Sequence, residues 1–320
     1  MISGQGKQEG TPDDVPEDRG IDGPQNSRRC KEVRILPFVA GLAFIGATNL
    51  VTAQPIPTAV ITDPPQDKAY PAKMQPVAIT SHGSAMHGVL YLGAGAGPHP
   101  TLLLLHGFPG NEQNLDIAQS ARRTEWNVCT FHYRGAWGSD GAFSFSKAIQ
   151  DAETAIAFLR DPAHTQTYRI EPTRIAVAGH SMGGFIAAYV GAKDPTLVGI
   201  AMISAWNCGA RASAVKTDAD HALMLKKFAG DMDSLTGCTP ESLYEDAMAH
   251  RDEWNFVNYA PALASRPLLL VTADDGNRKD SDALAVRIRQ TGGSDLTEVS
   301  MPTDHSYRSS ARKPGRLGPG

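Results

Sequence analysis

A serine flanked by glycines is the arrangement with the clearest chemical potential in this 320-residue sequence. Residues 179–183 read Gly-His-Ser-Met-Gly, between the apolar run 174–179 and the small-residue run 183–190. A strand before this turn and a helix after it would display Ser181 as a nucleophile, and the crowded turn explains the glycines two positions either side. The alternative is a structural serine in the glycine-rich turn of a nucleotide-binding unit.

A second turn of interest is His-Gly-Phe-Pro-Gly at residues 106–110, directly after the apolar run 102–105. Where a serine sits on a strand-to-helix turn, one oxyanion donor is the N–H after the serine and another comes from the loop after the third strand. We therefore predict that the backbone N–H groups of Phe108 and Met182 form an oxyanion hole. An ordinary strand-ending turn remains the alternative for residues 106–110 considered alone.

The elements that would position these turns alternate between strand and helix. Apolar runs predict strands at residues 77–83, 86–93, 101–107, 127–135, 174–180, 198–206, 267–274 and 296–302. Helical spacing predicts helices at residues 111–123, 145–161, 183–194 and 281–293. This alternation predicts an α/β fold with a mostly parallel, doubly wound sheet covered on both faces. The alternation stops at about residues 207–264, where helical patterns predict a cap inserted into the sheet.

These motifs together resemble the α/β-hydrolase superfamily. The resemblance rests on the segments 106–110, 133–141 (YRGAWGSDG) and 179–184, in that order, and covers a domain of about 71–306. Residues 133–141 are most similar to the prolyl-oligopeptidase-like and dienelactone-hydrolase-like branches. The resemblance implies the α/β-hydrolase fold, with nucleophile, acid and histidine in that order along the chain.

The resemblance also indicates where the acid and the histidine should lie. Asp274 and Asp275 both stand at the end of the strand predicted at 267–274. Similar proteins carry the acid one residue into the loop, so Asp275 is the preferred acid and Asp274 the alternative. Both could also be turn or helix-capping carboxylates. His305 is the only histidine after these acids, and we expect it to be the catalytic base.

The chemistry expected of these residues is acyl transfer to water. His305 would take the proton of Ser181, Asp275 would orient the imidazole, and the substrate would form an acyl-enzyme on Ser181. This mechanism requires neither a metal nor an organic cofactor, and we predict none. No spacing of cysteine and histidine resembles a zinc site.

The expected substrate is a small-molecule carboxylic ester, cleaved by a serine hydrolase of the carboxylesterase type. One alternative is a small peptidase or aminoacyl hydrolase of the prolyl-oligopeptidase-like type, acting on an amide. Another is an inactive α/β-hydrolase-fold protein that only binds its ligand. Trp206, Trp254 and Phe256 of the insertion either wall the substrate pocket or pack in the core.

Composition excludes some classes of partner. The formal net charge is −4 and hydrophobic residues make up 41% of the chain, values typical of a globular protein with a sizeable core. The weak net charge, and the lack of aromatic residues interleaved with basic clusters, exclude nucleic acid as an expected partner. The composition carries no prediction of oligomeric state.

The N-terminal region differs from the rest of the chain. Residues 1–30 are rich in Gly, Pro, Asp and Gln and are predicted to be disordered. Residues 31–53 have the pattern of a signal peptide cleaved after Ala53, although such signals normally start at the N-terminus, so translation from near Cys30 is one interpretation. We predict export to the periplasm or medium, without stable membrane insertion after cleavage. The alternative is a cytoplasmic protein.

Two further segments flank the predicted domain. Residues 54–70 are a Pro-rich linker, and residues 307–320 are predicted to be a disordered tail. The resemblance implies an amphipathic helix after the histidine, and its lack in this tail would loosen the loop that carries the histidine. In an exported protein Cys208 and Cys238 could form a disulfide, whereas Cys129 is expected in a buried strand.

Overall fold

An eight-stranded sheet organises the chain, and the computed structural model describes residues 56–307. The strands are β1 (Lys73–Ser81), β2 (Ser84–Leu92), β3 (His99–Leu105), β4 (Asn127–Phe131), β5 (Ile170–His180), β6 (Gly199–Ile203), β7 (Leu268–Thr272) and β8 (Leu296–Ser300). They lie in the order β1-β2-β4-β3-β5-β6-β7-β8. The pairs β1–β2 and β2–β4 are antiparallel, and the strands from β4 to β8 run parallel. The sheet is thus mixed and mostly parallel, as predicted.

Helices connect the strands. They are α1 (Thr58–Ile61), α2 (Leu115–Arg123), α3 (Phe145–Arg160), α4 (Pro162–Tyr168), α5 (Met182–Lys193), α6 (Cys208–Ser213), α7 (Asp218–Ala229), α8 (Pro240–Ala249), α9 (Ala260–Leu263) and α10 (Arg278–Gln290), with a 3₁₀ helix at Phe256–Tyr259. Ser144, Thr217 and Thr239 cap α3, α7 and α8 by accepting hydrogen bonds from first-turn N–H groups. The sequence patterns did not predict α1, α4 and α6.

The two faces of the sheet bury different residues because side chains alternate along a strand. Leu103 and Leu105 of β3 belong to the larger hydrophobic cluster, which includes α3 and α5. Leu104 belongs to a smaller cluster on the opposite face, with Ala118 of α2. This alternation produces the continuously apolar sequence of β3.

The face that carries α2 is only partly covered by the described residues, which differs from the prediction of a sheet covered on both faces. An apolar groove of about 330 Å³ lies over β3, β5, β6 and β7 on this face, lined among others by Leu102, Ala176, Ala201 and Leu269. The difference arises because α10, which follows β7, packs against α9 and the 3₁₀ helix in the larger cluster.

The predicted helical insertion lies between β6 and β7 and contains α6, α7, α8, the 3₁₀ helix and α9. The loop between α7 and α8 of the insertion contacts the segment 133–141, which follows β4. The N–H of Trp137 donates to the carbonyl of Ser234 at 2.9 Å, and that of Thr236 donates to Gly135 at 2.8 Å. The insertion is therefore tied to the segment 133–141 by backbone hydrogen bonds.

Several predictions concern residues outside the described range. Residues 1–30, predicted to be disordered, residues 31–53, predicted to be a leader, and all of the predicted tail 307–320 except Tyr307 lie there. The described part of the linker contains α1, and Asp63 beyond it accepts hydrogen bonds from Arg122 and Arg123 of α2 at 2.9 Å. None of the helices within residues 56–307 is long and apolar enough to span a bilayer.

The possible disulfide between Cys208 and Cys238 is not formed in the structure, where both residues are free thiols. Cys208 is fully buried in α6, and burial raises the pKa of its thiol well above the usual value. Cys238 is only partly buried, in the loop before α8. Cys129 lies buried in β4, as predicted.

Candidate active site

The turn between β5 and α5 carries Ser181 in a strained conformation. Its backbone has φ 55° and ψ −115°, a combination that residues other than glycine rarely adopt. The N–H of Ser181 donates to the carbonyl of Ile203 at 2.9 Å, and its carbonyl accepts from Trp206 at 2.9 Å. The end of β6 thus holds the strained residue in place, as expected for a displayed nucleophile.

The glycines of the motif are required by close backbone approaches. A Cβ on Gly179 would lie 2.1 Å from the carbonyl oxygen of Gly183, and a Cβ on Gly183 would lie 2.2 Å from that of Leu105. The start of α5 therefore rests directly against the end of β3. This contact brings the turn at residues 106–110 beside Ser181.

The two residues predicted to supply oxyanion donors are Phe108 and Met182. Met182 is the first residue of α5, and Phe108 lies in the turn after β3. Neither N–H donates a hydrogen bond to another described residue. A Cβ on Gly107 would lie 3.0 Å from the Cβ of Ser181, which shows how closely this turn approaches the serine. The structure thus brings the two predicted donor residues to the same serine.

The segment 133–141 supports the turn that carries Phe108. The hydroxyl of Tyr133 donates to the carbonyl of His106 at 3.2 Å, and the indole Nε1–H of Trp137 donates to the carbonyl of Pro109 at 2.9 Å. These bonds flank Gly107 and Phe108 from both sides. The segment 133–141, singled out in the sequence, therefore acts as a brace for the turn at residues 106–110.

His106 fixes the same turn from within. It is buried, and its Nδ1 lies 2.7 Å from the carbonyl of Gly107, to which it donates. Burial and the nearby His132 lower the pKa of His106 to about 4, although the hydrogen bond to Gly107 opposes the shift. The ring is therefore neutral at physiological pH.

His305 and Asp275 form a direct pair. Nδ1 of His305 lies 2.7 Å from Oδ2 of Asp275, whose side chain is only 2% exposed. By contrast, Asp274 is exposed, and its N–H donates to the carbonyl of Thr303 at 3.0 Å. Of the two acids that the sequence left open, Asp275 is the one that contacts the histidine.

The carboxyl of Asp275 is stabilised in its charged form. Burial raises its pKa, but hydrogen bonds from His305, from the Asn277 N–H at 2.9 Å and from Ser204 outweigh this effect, so that the pKa lies below the usual value. Arg211 of α6 holds the same loop by donating to the carbonyl of Gly276 at 2.8 Å.

His180 is a residue of the site that the sequence reasoning missed. Its Nε2–H donates to the backbone carbonyl of His305 at 2.8 Å, and the two rings lie 4.6 Å apart between centroids. Burial lowers its pKa to about 4, and the nearby His305 contributes to the shift. The signal was present in the sequence, since a histidine precedes the serine in the motif.

Two cavities meet at Ser181 and His305. We call the first, of about 660 Å³, the larger chamber, with walls that include Trp206, Leu223 and Phe228 of the insertion. The second, of about 260 Å³, is the smaller chamber, lined on one side by residues 107–112. Phe108, Ser181, Asp231 and His305 line both. The candidate nucleophile and base thus face a space large enough for a small organic substrate.

The other aromatic residues of the insertion are core residues. Trp206 lines the larger chamber, whereas Trp254 and Phe256 are 2% and 0% exposed and do not line it. Trp254 packs against Phe185 of α5, with ring centroids 5.7 Å apart. Among the described residues, no group of three or more acidic, histidine or cysteine side chains is arranged to hold a metal ion.

The sequence pattern of the alpha/beta hydrolase family matches residues 102–311, which is well over half of the chain. The chain belongs to the alpha/beta hydrolase family. The match includes the turn that carries Phe108, the brace at 133–141, the serine turn and the acid–histidine pair. No curated protein sequence matches this alpha/beta hydrolase.

Solved structures share the fold of this alpha/beta hydrolase. Est1E from Butyrivibrio proteoclasticus, solved with ferulic acid bound, is 17% identical with a TM-score of 0.57, over 73% of this chain and 92% of Est1E. Brefeldin A esterase, a bacterial homologue of human hormone-sensitive lipase, is 17% identical with a TM-score of 0.52, over 74% and 70% of the respective chains. EstE1, a thermostable carboxylesterase cloned from a metagenomic library, is 23% identical with a TM-score of 0.50, over 76% and 81%.

Proposed function

We propose that this alpha/beta hydrolase is a serine carboxylesterase acting on small esters. The observation that carries the proposal is that Ser181, the Asp275–His305 pair and Phe108 line one cavity, while the backbone N–H groups of Phe108 and of Met182, the residue after Ser181, are unused. The named esterases among the structures that share the fold point in the same direction. The two chambers suit a substrate with an acyl and an alcohol part.

The first half of the reaction transfers the acyl group to the enzyme. With Nδ1–H of His305 donating to Asp275, its Nε2 is available to accept the proton of Ser181. Oγ of Ser181 attacks the ester carbonyl carbon, and the resulting oxyanion accepts hydrogen bonds from the N–H groups of Phe108 and Met182. Donors of this kind are worth roughly 3 to 4 kcal/mol each in comparable sites. The alcohol then leaves with the proton from His305.

The second half returns the enzyme to its starting state. Water attacks the acyl carbon while His305 accepts one of its protons, and the oxyanion again lies against the same donors. Collapse of this intermediate releases the carboxylic acid and restores the proton to Ser181. The ionised Asp275 stabilises the imidazolium that forms in each half.

The test is hydrolysis of p-nitrophenyl butyrate by the full chain. We expect turnover that falls by roughly 10³-fold or more in Ser181→Ala. Ser306→Ala is the matched control, because Ser306 lines the smaller chamber beside His305 but has no role in the mechanism. A fluorophosphonate should add its mass to the wild type and to Ser306→Ala, and not to Ser181→Ala.

The same experiment separates the alternatives. Equal rates in wild type and Ser181→Ala, or no turnover and no labelling of a folded chain, would contradict the proposal. The latter result would favour a protein that only binds its ligand.

The resemblance of residues 133–141 to the prolyl-oligopeptidase-like branch supports an amidase as a second candidate. The p-nitroanilide of butyrate tests it with the same acyl group. We expect the ester to be cleaved faster by wild type, and the opposite order would favour the amidase.

A further inference from the structure

Asp231 occupies a position in the site that the mechanism does not use. It follows the end of α7, and it lines both chambers together with Ser181, His305 and Phe108. Of these four residues it is the only one without a role in the proposed chemistry or the oxyanion hole. Asp231 therefore borders both of the spaces that meet at Ser181.

The carboxyl group of Asp231 has no partner in the described part of the protein. Its backbone N–H donates to the carbonyl of Phe228 at 3.0 Å, but no hydrogen bond or ion pair reaches the side chain. Partial burial is what acts on the carboxyl, and it raises the pKa. A carboxylate that is partly desolvated and has no hydrogen-bond or ion-pair partner is stabilised by a cation that binds beside it.

The smaller chamber is lined by a second acidic residue besides Asp231. Glu112 lines it, and so does His180, which is 2% exposed. No lysine or arginine is among the described residues that line this chamber. Its polar lining thus suits a ligand that donates hydrogen bonds and carries positive charge.

The larger chamber provides a contrast. Lys227 of α7 lines it, four residues before Asp231, and Lys227 forms no ion pair with that residue. The cationic and acidic side chains therefore face the substrate space without neutralising each other. Lys227 is a matched control of opposite charge for any test of Asp231.

We propose that Asp231 is a specificity-determining residue that binds a cationic amino group on the substrate, near the scissile carbonyl. The substrate class is then esters that carry an amine on the acyl or the alcohol part. This inference rests on the proposed esterase function. Asp231 acts in it by binding the substrate, while Ser181, His305 and Asp275 perform the chemistry.

Two pairs of isosteric substrates test the proposal with the full chain. In the first, p-nitrophenyl β-alaninate carries an ammonium group where p-nitrophenyl butyrate carries a methyl group. In the second, acetylthiocholine is compared with 3,3-dimethylbutyl thioacetate, which places the charge on the alcohol side. The readout is the ratio of kcat/KM for the charged member to that for the neutral member, in wild type, Asp231→Asn, Asp231→Glu and Lys227→Gln.

We expect the wild type to favour the charged member of at least one pair. In Asp231→Asn that ratio should fall by about tenfold, with kcat/KM for the neutral ester nearly unchanged. Asp231→Glu should retain the preference, and Lys227→Gln should not lower it. Because an ion pair is screened by salt, the wild-type ratio should also fall between about 0.05 and 0.5 M NaCl.

A binding measurement distinguishes failure of this inference from failure of the esterase function. Calorimetry on Ser181→Ala should show tighter binding of the charged ester, and the double variant with Asp231→Asn should lose that preference. If neutral esters are cleaved but neither pair shows a preference that depends on Asp231, the inference is overturned and the esterase function stands. If no ester is cleaved, the esterase function fails, and equal binding of both members by Ser181→Ala overturns the inference as well.

Discussion

His180 donates a 2.8 Å hydrogen bond from Nε2 to the backbone carbonyl of His305, across 125 positions of the sequence. The residue that precedes the candidate nucleophile therefore anchors the loop of the candidate base. β5 ends at His180, and the loop after β8 carries His305. The two loops are coupled by this bond in addition to their shared cavity.

Removal of this bond should impair turnover more than substrate binding. We expect His180→Phe to lower kcat for p-nitrophenyl butyrate by about tenfold, because the loop that carries His305 loses a buried hydrogen bond worth about 1.4 kcal/mol. KM should change little. Steady-state kinetics measures both values.

His180→Gln serves as the conservative variant, since its amide can still donate to the carbonyl of His305 and should restore most of kcat. His87→Gln, on the exposed surface of β2, is the control. Equal kcat in His180→Phe and wild type would show that this bond does not position the base.

The brace on the Phe108 turn should matter for the oxyanion. Trp137→Phe keeps the ring but removes the Nε1–H that donates to Pro109, and Tyr133→Phe removes the hydroxyl that donates to His106. We expect each variant to lower kcat by about three- to tenfold, since each loses about 1 kcal/mol of support for the turn. Kinetics with the same ester checks this, and the double variant should lose more than either single one.

Thermal melting is the control for the brace. Trp137 is 44% exposed and Trp137→Phe keeps the ring, so the melting temperature should fall by no more than about 2 to 4 °C. A loss of kcat that merely follows a loss of folded protein would argue against a role in the oxyanion hole.

The contact between α5 and β3 should not tolerate a methyl group. In Gly183→Ala the Cβ would lie 2.2 Å from the Leu105 carbonyl oxygen, and neither backbone is free to move. We expect the free energy of unfolding to fall by about 3 kcal/mol or more, as for other overpacked sites. Urea denaturation measures this loss.

Gly230→Ala is the matched control for that substitution. Gly230 ends α7 with φ −73°, and the nearest atom to an added Cβ lies at 3.5 Å. Alanine should be tolerated there with a change of less than about 1 kcal/mol. Similar losses in the two variants would contradict the account of the serine turn.

Acid should destabilise the fold through its buried neutral histidines. The pKa of His106 is lowered to about 4, mainly by burial, whereas an unfolded histidine titrates near 6.5. Between these values the unfolded state binds more protons, so stability is full above about pH 6.5 and is lost as pH falls toward 4. Each such histidine contributes a slope of up to about 1.4 kcal/mol per pH unit.

Urea denaturation at a series of pH values measures this slope. His106→Asn should be less stable than wild type at neutral pH but show a shallower decline between about pH 6.5 and 4. An unchanged slope in the variant would show that His106 does not titrate in this range.

Local patterns in the sequence predicted the fold and the turn of Ser181 because the constraints behind them are short-range. Gly179 must be small because of Gly183, four residues away, and apolar runs mark the strands wherever both faces are buried. Short helices such as α4 and α6 escaped prediction because one or two turns carry little periodicity. For Cys208 and Cys238, which are free thiols, the sequence offered a disulfide only as a possibility, because spacing alone does not show whether two thiols meet.

The sequence by itself determined the residue types of the site, their order along the chain and the alternation of strands and helices that carries them. Only the tertiary structure decided that Asp275 rather than Asp274 meets His305, and that His180 anchors the base loop. It alone placed Asp231, from the insertion, between the two chambers. The physical reason is that these contacts join loops far apart in sequence, where the direction of a side chain depends on how the strands that carry the loops are packed.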